Sequence, residues 1–218
     1  SQCGLNVALD ILNFSQIEEF VLNNSISMVV VGPEAPLVAG ITDFFHSNPK
    51  LKNIMVLGPD REGALLEGSK DFAKAFMLEN NIPTARYRTF TAETIDDGLA
   101  FLDTLNPPYV LKADGLAAGK GVLILNTINE ARSELRNMLV DHKFGNASQK
   151  VVIEEYLTGI ELSAFAITDG KNYKMLPEAK DYKRIFDGDQ GPNTGGMGSV
   201  SPVPFADKMF IDKLRQRI

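Results

Sequence analysis

The stretch at residues 109–125, YVLKADGLAAGKGVLIL, constrains the fold of this chain more than any other. Two short apolar runs flank a loop of small residues, so each flank is typical of a strand and the loop of a hairpin tip. The loop and its edges carry Lys112, Asp114, Lys120 and several glycines. Glycine lets a backbone approach a ligand closely, and successive backbone N–H groups suit phosphate oxygens. We therefore predict a phosphate-binding hairpin.

A P-loop is excluded by the spacing. That motif places four residues between its first Gly and Gly-Lys, followed by Ser or Thr and then a helix. Here three residues separate Gly115 from Gly119, Gly121 follows Lys120, and a strand comes next. A flexible tip with chance glycines is the alternative, but such tips rarely carry lysine at both ends.

Composition restricts the class of protein. The 218 residues carry a net charge of −6, which argues against nucleic acid or an anionic membrane as a partner. The sequence has no apolar run of the length, about 18 residues, that a membrane-spanning helix needs. The single cysteine, Cys3, cannot form an internal disulfide, which fits a reducing cytoplasm. His46 and His142 lie in patterns typical of solvated helices, so catalysis by a Ser/His or Cys/His pair is not expected.

Residues 1–83 predict the remainder of an N-terminal Rossmann-like domain with a parallel sheet. Apolar runs at 28–31 and 53–57 are typical of strands buried on both faces, and each is followed by Gly-Pro. A helix is predicted from Pro36 to about residue 46, because proline is tolerated near a helix start. Since the pattern begins midway, we expect one or two further strands before residue 1.

Residues 84–150 are predicted to form a small subdomain of order β-α-β-β-α. The pattern predicts a strand at 86–90, a helix at 93–105 and, after the hairpin, a helix opened by a capping box of Thr127 and Glu130. About 70 residues is small for a full domain, so this unit is expected to be a subdomain.

Residues 151–218 are predicted to be the first part of a further domain. A strand at 150–156 precedes an antiparallel pair turned by Asp169-Gly170. The segment 178–204, dense in Gly, Pro, Asp and Lys, is predicted to be a long loop, and a loop of that length inside a compact domain is usually functional or disordered.

Three positions near the hairpin or after it suit a nucleotide. Lys112 ends a buried run, and its charge needs either a salt bridge or a phosphate partner. Residues 154–157, Glu-Glu-Tyr-Leu, suit an extended connector whose backbone reads an adenine edge, although paired glutamates are usually solvated. Glu161 could accept hydrogen bonds from ribose hydroxyls, and a solvated carboxylate at a strand edge is the alternative.

Residues 181–184 and 191–198 form a second candidate site. The charged stretch Asp-Tyr-Lys-Arg precedes Gly-Pro-Asn-Thr-Gly-Gly-Met-Gly, in which Asn193 and Thr194 add donors beside glycines. Such a stretch is typical of an anion-binding loop. A solvated linker is the alternative, but proline and methionine are poor residues for a disordered tether.

These motifs resemble those of the phosphoribosylamine–glycine ligase family, the glycinamide ribonucleotide synthetases of the ATP-grasp superfamily. The resemblance rests on five stretches in family order, at residues 32–37, 67–70, 111–121, 152–157 and 191–198. It implies an α/β and α+β multidomain protein in which a partial Rossmann-like parallel-sheet domain precedes a partial ATP-grasp fold. It also implies a cytoplasmic ligase of purine biosynthesis that uses ATP and Mg2+ to join glycine to phosphoribosylamine, with residues 84–150 as its lid.

The resemblance implies roles for individual residues. Those expected at the reaction centre are Lys112, Asp181 and Arg184. Those expected to contact ATP are Lys70, Lys112, Asp114, Gly115, Gly119, Lys120, Gly121, Glu154, Glu155, Tyr156, Leu157 and Glu161. Those expected to contact phosphoribosylamine are Gly32, Pro33, Glu34, Asn193, Thr194, Gly195, Gly196 and Met197.

Departures from the family set the limits of this prediction. Family members carry a glycine-rich loop after their first strand, and a Glu and an Asn that hold magnesium at positions beyond residue 218; the chain has neither. We therefore expect no metal ligand in the chain and no ligase activity from it alone. Another amine ligase or a carboxylase of the ATP-grasp group is a close rival, against which residues 191–198 argue. A non-catalytic ATP-binding module of ATP-grasp type is the alternative from another class.

Overall fold

The computed structural model describes residues 4–117, 120–188 and 190–218, apart from the side chain of Asn193. Its helices are α1 (Phe14–Asn23), α2 (Glu34–Val38), α3 (Ile41–Ser47), α4 (Arg61–Gly68), α5 (Lys70–Glu79), α6 (Ile95–Leu102), α7 (Ile128–Leu139) and α8 (Lys208–Arg217). Its strands are β1 (Met28–Val30), β2 (Met55–Leu57), β3 (Tyr87–Phe90), β4 (Tyr109–Ala113), β5 (Val122–Leu125), β6 (Val151–Glu155), β7 (Ala166–Thr168), β8 (Tyr173–Met175), β9 (Lys180–Phe186) and β10 (Gln190–Val200). The predictions for Cys3 and Gly119 lie outside the described residues.

The chain divides into two compact units, Ser1–Tyr156 and Leu157–Ile218. In the first unit, β1 and β2 pair in parallel, and a four-stranded antiparallel sheet has the order β3-β6-β4-β5. In the second unit, β7 pairs with β8 and β9 with β10, both antiparallel. Among the described helices, none is both long and apolar enough to cross a membrane.

The parallel pairing of β1 with β2 is confirmed, but burial of both faces is wrong. Val29 pairs with Val56, and both pack against a core centred on Phe45 and Leu51. The residues on either side of these valines point to the opposite face, because side chains alternate along a strand. They are between 42% and 63% exposed: Met28, Val30, Met55 and Leu57. No element among the described residues covers that face.

The single helix predicted from Pro36 to about residue 46 is interrupted at Gly40. The backbone there has φ of 90°, a left-handed conformation that glycine adopts without strain. The position that a side chain at residue 40 would occupy is also taken by Arg61, because a Cβ at Gly40 would lie 2.6 Å from its Nη2. That guanidinium donates a hydrogen bond of 2.8 Å to the carbonyl of Ala39, so it ties α4 to the end of α2.

The hairpin predicted at 109–125 is confirmed, and it lies at one side of the antiparallel sheet. Tyr109 pairs with Leu125 and Lys112 with Val122. Strand β6 lies between β3 and β4 and pairs with both of them. The division of the chain at residues 1–83, 84–150 and 151–218 stays a prediction, although a boundary at 150 separates β6 from the sheet in which it pairs.

Helices α6 and α7 supply the core of this sheet. The cluster includes Leu102, Leu111, Leu135 and Ile153, each of which is 0% exposed. The predicted capping box is confirmed at the start of α7, where the Glu130 N–H donates to the Thr127 hydroxyl and the Glu130 carboxylate accepts from the Thr127 N–H. Local capping and apolar spacing therefore agree with the tertiary packing of this helix.

The long loop predicted at 178–204 is wrong. Most of this segment forms the antiparallel pair β9 and β10. A sheet ladder uses backbone groups, so a glycine-rich stretch can pair where its irregularities are absorbed by bulges. The register shifts between Gln190 and Asn193 and again between Asn193 and Gly198. The shorter turn predicted at Asp169-Gly170 is confirmed between β7 and β8.

Substitution of Leu135 by Ala tests the core of the antiparallel sheet. Because the side chain is fully buried, Leu135→Ala is expected to lower the free energy of unfolding by about 2–5 kcal/mol in urea titrations. Leu78→Ala is the matched control, since Leu78 is 61% exposed and should change stability by less than about 0.5 kcal/mol. Equal losses from the two variants would contradict the assignment of the core.

Candidate functional site

A cavity of about 220 Å³ lies in the first unit beside the root of the hairpin. Its charged lining comes from α5, β4, β6 and the end of α4, and apolar side chains complete it. The lining residues are Leu66, Glu67, Lys70, Ala73, Lys74, Met77, Lys112, Val122 and Glu154. Three lysines around one buried glutamate suit an anionic ligand.

Glu154 is the centre of this cavity's charge. It is 5% exposed, and its Oε2 lies 3.0 Å from Nζ of Lys112 and 3.2 Å from Nζ of Lys74. The register brings Lys112 to it, because Val110 is opposite Glu154 and Lys112 opposite Val152, which makes Lys112 a diagonal neighbour on the same face. The sequence predicted either a salt bridge or a phosphate partner for Lys112, and the structure contains the salt bridge.

Lys74 was missed by the sequence reasoning. It is 8% exposed, donates a hydrogen bond of 2.7 Å to the hydroxyl of Thr84, and lies 5.4 Å from the centre of the Tyr87 ring. Burial lowers the pKa of Lys74, although Glu154 opposes that shift. Its position four residues after Lys70 was the available signal, since residues at i and i+4 share one helix face.

Lys70 lies at the first position of α5 and reaches the hairpin root. Its Nζ donates to the carbonyls of Asp114 at 3.3 Å and Gly115 at 3.4 Å. Burial lowers the pKa of Lys70, and the charges of Asp114 and Glu67 oppose that shift. A partly buried ammonium whose hydrogen-bond partners among the described residues are two carbonyls remains suited to a phosphate.

The Asp114 carboxylate is engaged with the same helix. Its Oδ1 accepts hydrogen bonds from the Ser69 hydroxyl at 3.0 Å and from the Asp71 N–H at 2.8 Å. Ser69 is itself the N-cap of α5 and accepts from the N–H of Phe72. Asp114 therefore fastens the hairpin to the N-terminus of α5, where a negative charge is favourable.

Two predicted glycines of the loop are required by packing within the chain. A Cβ at Gly115 would lie 3.2 Å from Cα of Ala147, and a Cβ at Gly121 would lie 2.8 Å from Cβ of Ala117. Lys120 is exposed, and its N–H donates to the carbonyl of Ala117 at 2.9 Å. The close approach expected between glycine and a ligand is thus made here to alanine.

The predicted connector at 154–157 begins inside β6. Glu155 has its carboxylate occupied, because Oε1 accepts a hydrogen bond of 2.7 Å from the N–H of Arg86. Tyr156 and Leu157 follow the strand and are 39% and 63% exposed. The two glutamates therefore are not the solvated pair that was the alternative.

A second cavity of the first unit, of about 440 Å³, lies at the carboxyl ends of β1 and β2. Gly32 and Glu34 line it, whereas the intervening Pro33 serves as the N-cap of α2. Leu66 and Glu67 line both this cavity and the lysine-lined one. The predicted sites for two ligands thus share a wall at the end of α4.

The second unit brings together Glu161 and Asp181. Both line a cavity of about 210 Å³ together with Lys183. The Lys183 ammonium lies 3.6 Å from the Glu161 carboxylate, and the latter side chain is 76% exposed. Arg184 is not in that lining; its guanidinium donates a hydrogen bond of 2.8 Å to the carbonyl of Gly191.

The predicted anion-binding loop is a bulged part of β10. Between the paired residues Asn193 and Gly198, the strand carries Thr194, Gly195, Gly196 and Met197 without regular partners on β9. The Thr194 hydroxyl donates to the carbonyl of Lys183 at 2.8 Å and accepts from the N–H of Gly196 at 3.1 Å. The bulge is thus ordered by its own side chain, and Met197 is 60% exposed.

In residues 4–117, 120–188 and 190–218, no three His, Cys, Asp or Glu side chains are grouped closely enough to hold a metal ion. No residue of that part of the chain is therefore assigned to Mg2+.

A parallel strand pair followed by an antiparallel sheet with a glycine-rich hairpin, beside which lysines line a cavity, is typical of an ATP-grasp protein. The same fold occurs in N5-carboxyaminoimidazole ribonucleotide synthetase from Thermus thermophilus, with a TM-score of 0.65 at 18% identity over 99% of this chain and 52% of that one. The chain belongs to the phosphoribosylglycinamide synthetase family. Models of that family's N domain and its ATP-grasp (A) domain match residues 1–67 and 68–218. The family and the fold class predicted from the sequence are confirmed.

Individual relatives agree with this assignment. The chain is 46% identical to phosphoribosylamine–glycine ligase of Leptospira interrogans over 97% of its own length and 48% of the relative. It resembles the crystal structure of the corresponding ligase from Thermotoga maritima with a TM-score of 0.76 and 37% identity, over 99% of this chain and 50% of that one. The chain thus spans about half the length of the curated relatives it matches.

Asp71 provides a test of how the lysine-bearing helix is anchored. Its carboxylate accepts from Lys150 at 2.8 Å and from the Thr89 hydroxyl at 2.7 Å. Burial raises the pKa of Asp71, but these hydrogen bonds outweigh it, so the pKa lies below its usual value. The stabilisation is therefore complete above the unfolded pKa of about 3.9 and is lost as the pH falls through the folded value.

Asp71→Asn is expected to lower the free energy of unfolding by about 1 kcal/mol at neutral pH. The difference from the parent protein should shrink once the pH falls below about 4, as measured by urea titrations across that range. Asp141→Asn, at an exposed position, is the control and should change stability little at any pH. A loss from Asp71→Asn that stays constant with pH would contradict the role of the charge.

Proposed function

We propose that this chain is the nucleotide-binding part of an ATP-dependent ligase that joins glycine to 5-phosphoribosylamine and gives glycinamide ribonucleotide, ADP and phosphate. The observation that supports it is the cavity in which Lys70, Lys74 and Lys112 surround Glu154 at the hairpin root. The reaction is inferred from the phosphoribosylglycinamide synthetase family to which the chain belongs and from its similarity to phosphoribosylamine–glycine ligases. The proposed place of action is the cytoplasm, which fits a chain with one cysteine.

The nucleotide would lie against the hairpin. Lys70 and Lys112 would neutralise phosphate oxygens, since both ammoniums line the cavity and neither is fully buried. The hairpin loop with Asp114, Gly115, Lys120 and Gly121 would cover the phosphates. Glu154 to Leu157 would read the adenine, and Glu161 would bind the ribose. Mg2+ would accompany ATP, with no described residue of this chain assigned to it.

The acceptor would occupy the neighbouring cavity. Gly32, Pro33 and Glu34 would bind phosphoribosylamine, because the cavity that Gly32 and Glu34 line shares a wall with the nucleotide cavity. In the second unit, the bulge at 193–197 is proposed to bind phosphoribosylamine, and Asp181 and Arg184 are proposed to act at the reaction centre, because these residues lie in the part of the chain that matches the family's ATP-grasp domain. Such phosphoryl transfer depends on positioning and charge neutralisation, so it requires no histidine or cysteine.

Two steps would complete the reaction. A glycine carboxylate oxygen attacks the γ-phosphorus of ATP, and ADP leaves, which forms glycyl phosphate. The amine nitrogen of phosphoribosylamine then attacks the glycyl carbonyl carbon, phosphate leaves, and the nitrogen loses one proton.

Nucleotide binding is the direct test on this chain. With Mg2+ present, ATP is expected to raise the melting temperature, and GTP to raise it less, as measured by thermal shift and calorimetry. Lys70→Met and Lys112→Met are each expected to weaken ATP binding by about 10- to 100-fold, because each removes a charged contact worth about 1.5–3 kcal/mol.

Lys50→Met is the control for these variants. Lys50 also pairs with a glutamate, Glu18, but its side chain is 72% exposed and lies outside the cavity. Its substitution should leave ATP affinity unchanged. Equal stabilisation by ATP and GTP would contradict the adenine site, and unchanged affinity in both lysine variants would contradict the phosphate site.

The reaction is tested in a protein of the relatives' full length that carries these residues. Given ATP, Mg2+, glycine and phosphoribosylamine, it is expected to form ADP and glycinamide ribonucleotide in equal amounts, as measured by mass spectrometry. Lys112→Met should reduce the rate by about 100-fold or more, since the charge neutralises the transferring phosphoryl group. ADP formation that does not depend on glycine would contradict the proposal.

A further inference from the structure

The two carboxylate oxygens of Glu154 have different partners. Oε2 lies within 3.2 Å of two ammonium groups, those of Lys74 and Lys112. Oε1 is buried, and it accepts no hydrogen bond from any residue that the structure describes. A buried acceptor without a donor is costly, and Glu154 lines the lysine cavity. A ligand donor is therefore the natural partner of Oε1.

Lys74 is held more tightly than Lys112. Its side chain is 10% exposed against 27% for Lys112. It is fixed from three sides, by the Glu154 carboxylate, by the Thr84 hydroxyl at 2.7 Å and by the face of the Tyr87 ring. Lys112 has only Glu154 as a side-chain partner among the described residues. We therefore expect Lys74 to keep its contact with Glu154 when a ligand binds, and the Lys112 ammonium to reorient toward the ligand.

This difference matters when an anion binds. If Lys112 turned to a phosphate and Glu154 had no other partner, a buried carboxylate would be left unpaired, which is strongly unfavourable. With Lys74 in place, Oε2 keeps one ammonium and the carboxylate keeps its orientation. Oε1 then presents lone pairs only, so it attracts an amino group and repels a carbonyl oxygen.

We propose that Lys74 is a positioning residue for base selection: by holding Oε2 of Glu154, it reserves Oε1 for an amino group on the base. The inference rests on the proposed nucleotide site and extends it to a residue outside the predicted set. The chemical class that Oε1 selects is a 6-aminopurine nucleotide over a 6-oxopurine nucleotide. Sites built to bond one polar group reject the analogue that lacks it, because the buried partner is left unpaired.

The experiment compares ATP with ITP, which differ at the 6-position of the base. Dissociation constants are measured by calorimetry on the 218-residue chain. The unsubstituted chain is expected to bind ATP at least tenfold more tightly than ITP. Lys74→Met should reduce that ratio to about threefold or less, because the freed carboxylate can turn. Lys74→Arg should restore most of the ratio, and Lys50→Met should leave it unchanged.

Glu154→Gln gives a second test that keeps both lysines. Two ammoniums next to the Oε2 position favour the amide oxygen there, so the amide NH2 takes the place of Oε1. A donor then replaces the acceptor, and the preference is expected to invert, with ITP bound more tightly than ATP. Cooperative thermal unfolding of each variant shows that it is folded.

The outcomes separate the two proposals. If the unsubstituted chain binds ATP but Lys74→Met weakens ATP and ITP equally, Lys74 is merely structural and this inference is overturned, while the proposed nucleotide site stands. Retained ATP preference in Glu154→Gln would also overturn it. If the unsubstituted chain binds neither nucleotide, the proposed site fails and the inference fails with it.

Discussion

The contact of two lysine ammoniums with one glutamate oxygen organises the chemistry of this chain. Removing each of these charges from water costs several kcal/mol, so Lys74, Lys112 and Glu154 are tolerated together only because they compensate one another. They come from a helix and two adjacent strands, so the contact requires that α5 pack on the antiparallel sheet in one register. The hydrogen bonds of Asp71 and Asp114 hold the N-terminus of that helix to the sheet. The fold thus keeps positive charge close to a buried carboxylate.

Features with a local cause could be predicted from the sequence. The hairpin at 109–125, the capping box at Thr127 and the turn at Asp169-Gly170 each depend on residues close in the chain, and each is present. The interruption at Gly40 could not be predicted, because it depends on Arg61, which is distant in sequence. The pairing of β9 with β10 was missed for a related reason: backbone ladders tolerate glycine-rich sequence when bulges take up the irregularity.

The sequence identified several of the charged residues that line the candidate site, but it did not predict which of their groups make the contacts. Lys70, Lys112 and Glu154 were selected from the sequence and line one cavity. Glu154 was selected for its backbone, however, whereas the structure engages its side chain with two lysines. Lys74 was not selected, because a lysine on an amphipathic helix is usually solvated and only the packing of Thr84 and Tyr87 shows that this one is buried.

The position of Asp114 has a consequence for how the hairpin can evolve. Its carboxylate is shared between Ser69 and the first turn of α5, so it belongs to the helix start as much as to the loop. A substitution there would change the helix terminus, the root of the hairpin and the surroundings of Lys70 at once. Variation at this residue is therefore constrained by the helix as well as by the loop, and reduced nucleotide affinity in an Asp114 variant would not by itself identify a ligand contact. Through the Asp114 side chain, sequence changes in the loop and in the first turn of α5 are therefore expected to depend on one another.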